Sequence, residues 1–246
     1  MRKLIYTIAT AIIFSLAFTS CEDKNGNRNG YENGNGNGNA QEFTIMASNV
    51  QGSGVDRIVT VEASVFHWDG VREGAFTVGK APFQNRGFNI TLSTDIPSLF
   101  LMPIYDTFGD EGNVIVSDGS ANITGLGEGL YALDSNGNEI GLLGYFAETN
   151  TAFYIATWIY VDRDVTVRGR DGWENFDLNL KRGWNAIFVR EGESEDDDSW
   201  STTITTQRPS NVTFVWEFWS WDDWSSEFST TTRTERRSGN SIFTRR

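Results

Sequence analysis

Cysteine and histidine carry much of the nucleophilic, redox and metal chemistry of proteins, and this chain of 246 residues has one of each, Cys21 and His67. One cysteine forms no intramolecular disulfide and no thiolate cage, and one histidine builds no multi-histidine zinc site. Carboxylates are what remains: 33 acids against 20 Lys and Arg leave a net charge of −13. Paired carboxylates can hydrolyse glycosides without a histidine, but at this density composition singles out no pair. The charge does exclude a class of partner. Sequence-independent attraction to nucleic acid or anionic lipid needs a basic surface, and this chain has none to offer.

Several spacings mimic known sites. Gly74 to Lys80 fits the first seven positions of a phosphate-binding loop, but Ala81 stands where Ser or Thr would hold magnesium and Pro82 where a helix should begin. It reads as a strand with flanking glycines, and no cofactor is expected. Asp134, Asn136 and Asn138 have the 1-3-5 spacing of a calcium loop, yet Glu139 replaces the glycine at position six and Tyr145 the glutamate at twelve. A solvated hairpin turn explains the same residues. Glu191, Glu193, Glu195, Asp196, Asp197 and Asp198 put six acids into eight positions, which reads as a solvated loop; calcium binding by this run is the open alternative. His67 ends an apolar-alternating run beside Trp68 and is expected to be a surface or packing residue. No metal site is predicted.

Trp216, Trp219, Trp221 and Trp224 form an aromatic cluster near the C-terminus. Flat exposed indoles can stack on the apolar faces of sugars. If the strand continues, Trp219 and Trp221 share a face opposite Trp216 and Phe218, about 7 Å apart, with Asp222 or Asp223 as hydrogen-bond acceptors. The competing expectation is that these rings seal the core.

The elements that would position such residues begin with an address. Arg2 and Lys3 precede the uncharged stretch Leu4 to Phe18, whose 15 residues fall short of the roughly 20 that span a bilayer core. A charged start, a short apolar run and small residues at its end describe a secretory signal peptide over 1–20. Leu16-Ala17-Phe18-Thr19-Ser20-Cys21 resembles the lipobox of bacterial lipoproteins, in which the cysteine becomes the lipidated first residue; Phe18 departs from the usual leucine. The resemblance implies a membrane anchor at Cys21, and Glu22 and Asp23 resemble an outer-membrane display signal. Removing Arg2 and Lys3 with the signal takes the charge from −13 to −15.

Residues 21–40 are dominated by Asn and Gly and are expected to be a flexible tether, because nothing in them offsets the ordering entropy of glycine. Such a coil of 20 residues reaches roughly 25 Å. From there to Trp219 the pattern has period two: Val59, Val61, Ala63 and Val65; Phe88, Ile90 and Leu92; Phe176, Leu178 and Leu180; Phe214, Trp216 and Phe218. That is the signature of half-buried strands. Ala152 to Val161 is apolar at nearly every position, as a strand covered on both faces would be. Asp118-Gly119, Asn136-Gly137 and Lys181-Arg182-Gly183 mark hairpin turns between such runs, and Trp184, on one face with Ala186 and Phe188, is expected to be buried. The predicted fold is an all-β antiparallel β-sandwich over 41–219, with a barrel as the alternative. A polar, poorly ordered tail is expected over 220–246.

Tyr160-Val161-Asp162-Arg163-Asp164-Val165-Thr166-Val167, Leu178-Asn179-Leu180-Lys181-Arg182-Gly183-Trp184-Asn185 and the lipobox together resemble a group of small, uncharacterised outer-membrane lipoproteins of anaerobic Gram-negative bacteria. The resemblance covers about half of the mature chain. It implies a β-sandwich at the outer membrane and no assigned activity. The leading expectation is a lipid-anchored protein with a non-enzymatic binding or structural role, whose partners are the membrane through its anchor and a glycan or another surface protein. A carbohydrate-binding accessory protein using Trp219, Trp221, Asp222 and Asp223 is the second, and a carboxylate-dependent glycoside hydrolase the third.

Overall fold

A computed structural model describes residues 42–68, 73–108, 113–126, 129–193 and 200–222. The signal-like segment, Cys21, the Asn/Gly linker and the chain beyond Asp222 lie outside the described residues.

Alternation builds most of the strands as the sequence predicts. β1 (Phe43–Ala47) and β4 (Phe88–Leu92) form a separate antiparallel pair, and β4 buries Phe88, Ile90 and Leu92 while exposing Asn89 and Thr91. β2 (Thr60–Trp68) runs antiparallel to β3 (Glu73–Pro82), with a bulge between Ala63 and Ser64. Val61, Ala63 and Val65 are buried, but Val59 precedes the strand and is exposed. The run that mimics a phosphate loop is this β3, a strand throughout.

The centre of the molecule is β10 (Ala152–Val161). It pairs along its full length with β13 (Gly183–Glu193), and its other edge is shared by β9 (Glu139–Glu148) and β7 (Asn122–Gly125). On one side the sheet continues from β9 through β8 (Leu130–Leu133) to β2 and β3. On the other it continues from β13 through β14 (Trp200–Thr205), β12 (Glu174–Leu180), β11 (Val165–Asp171) and β6 (Ile115–Val116). β15 (Val215–Ser220) takes the free edge of β9, and β5 (Met102–Pro103) lies beside β7 and leads into a five-residue helix, α1 (Ile104–Phe108).

Two cores lie on opposite faces of the central strands, giving a sandwich-like all-β fold. The first gathers Ile45, Val61, Ile90, Leu130, Leu143, Trp158, Trp184 and Trp216 between β1–β4, β2–β3 and the central strands. The second gathers Ile155, Ile159, Val167, Phe176, Leu178, Ile187 and Ile204. β10 sends Trp158 and Tyr160 into the first and Ile155 and Ile159 into the second, which is why its sequence is apolar throughout.

Of the three expected hairpin turns, two need correction. The Asn136-Gly137 turn does close the β8–β9 hairpin, with Gly137 at φ 81. Asp118-Gly119 does not make a hairpin: the turn forms, with the Ala121 N–H donating to the Asp118 carbonyl at 3.2 Å, but β6 joins β11 and β7 joins β10. A turn dipeptide specifies a reversal, not which strands pair. Strands this short gain more from established edges than from each other. Likewise Lys181-Arg182-Gly183 reverses the chain between β12 and β13, but β14 inserts between them. Since β14 runs antiparallel to β13 and β13 doubles back from β12, β14 must be parallel to β12. The sheet is therefore not purely antiparallel.

Candidate functional site

The C-terminal tryptophans are packed more closely than a sugar platform requires. Trp216 is 2% exposed and points into the first core, as predicted. Trp219 does face the opposite side, but it stacks on Phe146 with centroids 4.5 Å apart and planes 4° from parallel, and its indole N–H donates to Glu217 at 3.2 Å. β15 continues through the buried Ser220 rather than ending at Trp219. Trp221 leaves the strand for a helical turn and packs on Tyr131, Leu133 and Leu142. The predicted continuation of the strand, and with it two open coplanar rings, is replaced by packing because β9 supplies an apolar outer face. Asp222 is exposed and accepts from Arg57 at 2.9 Å; Asp223 and Trp224 lie outside the described residues.

The Asp134 carboxylate accepts hydrogen bonds from the Asn136 and Asn138 backbone N–H groups at 2.8 and 2.9 Å and from the Asn138 amide at 3.2 Å. The Asn138 backbone bond is foremost among the contacts that hold its pKa below the usual carboxylate value. Those bonds are the chemistry of a turn. His67 pairs with Gly74 in the β2–β3 ladder; its side chain lies outside those described. A shallow cavity of about 360 Å³ beside β4 is lined by Glu42, Val78, Thr91, Leu92, Ser93, Thr94 and Asp95.

A different end of the molecule brings more chemistry together. The β11–β12 hairpin closes through Gly172 and Trp173, because Asp171 pairs with Glu174 and Gly172 takes φ 54. Trp173 is 58% exposed there, and its carbonyl accepts from the Thr202 N–H of β14 at 3.0 Å. Trp200, two residues before Thr202, is 42% exposed. Two open indoles thus sit at one end of the β12–β14 pair. Sequence reasoning missed them, although a tryptophan in a two-residue turn has no core to enter; that was the available signal.

Glu191 is the other surprise. Taken with its neighbours it reads as the start of a solvated acidic run, yet it is 2% exposed. It continues the Ile187–Val189 face of β13 into the second core. The ladder sets Glu191 opposite Thr202, and Thr202 beside Glu174. Burial, then the Glu174 charge, pushes the Glu191 carboxyl up. Burial and the Asp171 charge push Glu174 up, against a hydrogen bond from Trp173. These two carboxyls lie on the core-facing side of one sheet rather than across a cleft, which gives the hydrolase reading no support from them. Glu193 is exposed, and Glu195 to Asp198 lie outside the described residues.

Comparisons with family models, with curated proteins and with solved structures find no match. The resemblance to outer-membrane lipoproteins therefore rests on this chain's own residues.

Proposed function

We propose that this chain is a lipid-anchored extracytoplasmic protein that holds a sandwich-like β domain off the outer membrane for a non-enzymatic binding or structural role. The observation that carries the reading is Cys21, the only cysteine, at the end of a signal-like segment and ahead of an Asn/Gly tether. A single exposed thiol is a liability in a secreted protein, and acylation removes it. Two or more acyl chains give stable anchoring where one is marginal, each buried CH₂ contributing about 0.8 kcal/mol. Glu22 and Asp23, directly after the cysteine, support outer-membrane display.

In a Gram-negative host, Cys21→Ser should move the protein from the membrane to the soluble fraction and abolish incorporation of labelled palmitate. A variant that still sediments with membranes would overturn the anchor. Trp173 and Trp200 favour one second reading, glycan binding at the β12–β14 end in place of the C-terminal edge. Open indoles there offer stacking faces, and Asp171 and Glu193 offer hydroxyl acceptors at the rim.

A further inference from the structure

Five strands contribute to one row on the core-facing side of the sheet: Phe153 of β10, Glu191 of β13, Thr202 of β14, Glu174 of β12 and Asp171 of β11. A core layer precedes it, since Val189, Ile204 and Phe176, each two positions away on its strand, belong to the second core. Polar residues in such a place require partners. Thr202 is 0% exposed and its hydroxyl oxygen has no hydrogen-bond partner. Glu191, beside it in the ladder, is nearly as buried. Among the described residues no Lys or Arg offsets either glutamate: the charge acting on Glu191 is that of Glu174, and the charge acting on Glu174 is that of Asp171. Arg190 is on the opposite face and donates to the Glu193 carbonyl at 2.8 Å.

A buried carboxylate costs several kcal/mol unless it is paired or coordinates a cation. Here two carboxylates flank a buried hydroxyl and, among the described residues, face no cationic side chain. We propose that Glu174, Thr202 and Glu191 form a divalent-cation site, selective for calcium, at the end of the second core. The donor set is all oxygen, without the imidazole or thiolate that zinc and copper favour. Calcium accepts bidentate carboxylates and irregular geometry, whereas magnesium demands a near-ideal octahedron and retains its waters. Adjacent ladder partners lie about 5 Å apart, so two long glutamate side chains can converge over the threonine between them. The ion would clasp β12, β13 and β14, including the one parallel pair, and would rigidify the strand ends that carry Trp173 and Trp200. This assignment stands independently of the anchor.

The test is thermal unfolding of the full mature chain, stripped with EDTA and then titrated with calcium or magnesium. With an affinity typical of extracellular calcium modules, 5 mM calcium should raise Tm by about 5 °C. Glu191→Gln and Glu174→Gln should abolish the rise and Thr202→Val should diminish it. In EDTA, Glu191→Gln should be at least as stable as wild type, because it removes repulsion between two carboxylates; that also shows it folds. The variant Asp196→Asn/Asp197→Asn/Asp198→Asn should keep the rise. No rise in wild type, a rise retained by Glu191→Gln and Glu174→Gln, or a rise lost only in the triple variant would overturn the site. An equal rise with magnesium would overturn its selectivity.

Discussion

Removing the Trp184 side chain should be among the costliest single truncations in the domain. Trp184 is 6% exposed in the first core. Its ring meets Tyr160 edge-on at 5.6 Å, and its indole N–H donates to the Ser93 carbonyl at 2.8 Å. That bond ties β13 to the loop after β4, two segments 91 positions apart in sequence. Deleting a large buried aromatic costs about 3–5 kcal/mol through lost transfer energy and the cavity left behind. The hydrogen bond accounts for about 1 kcal/mol of that, since Ser93 is exposed and water can replace the donor. Trp184→Phe keeps most of the ring burial and loses the bond, so it should cost about 1–2 kcal/mol. In urea unfolding with a slope near 2–3 kcal/mol per molar, Trp184→Ala should lower the midpoint by roughly 1.5 M and Trp184→Phe by roughly 0.5 M. A loss below about 1 kcal/mol for the alanine variant, or equal losses for the two, would refute the packing argument.

Asp162 accepts from the Asn122 backbone and amide at 3.0 and 2.9 Å and from Arg163 at 3.0 and 3.1 Å, pinning β7 to the end of β10. Burial alone would raise its pKa, but Arg163 and Asn122 together lower it to about 2. A depressed folded-state value gives stability that is present above pH 4 and lost as pH falls toward 2, about 1 kcal/mol after solvent screening. Asp162→Asn should therefore be less stable than wild type at pH 5, with the gap closing by pH 2; a gap independent of pH would reject the assignment. At the indole end, titration with soluble glycans should change the intrinsic fluorescence of wild type and leave Trp173→Ala/Trp200→Ala unchanged, whereas an identical response in both proteins would exclude that surface.

The fold was legible where burial follows a local period. Phe88, Ile90 and Leu92, or Phe176, Leu178 and Leu180, reveal their strands because successive side chains point to opposite faces and only one face is apolar. The doubly covered β10 was legible for the complementary reason. Pairing was not, because Asp118-Gly119 and Lys181-Gly183 carry turn chemistry that says nothing of the strand that will fill each edge. The candidate site was least legible. Trp219 fits an exposed-face parity, yet whether that face meets solvent depends on Phe146, 73 positions earlier in the chain.

The all-β class, the inward faces of individual strands, the Asn136-Gly137 hairpin and the chemical features of the Cys21 segment all follow from local sequence. Each depends on neighbours within a few residues, and local chemistry is what a single chain displays. Long-range packing, by contrast, takes Glu191 out of the acidic run into the core, places Trp173 and Trp200 at one end of the β12–β14 pair and stacks Trp219 on Phe146. Those outcomes depend on β14 sliding between β12 and β13 and on β15 seating along β9. Such long-range pairings are chosen by the summed burial of two cores rather than by any short stretch of residues.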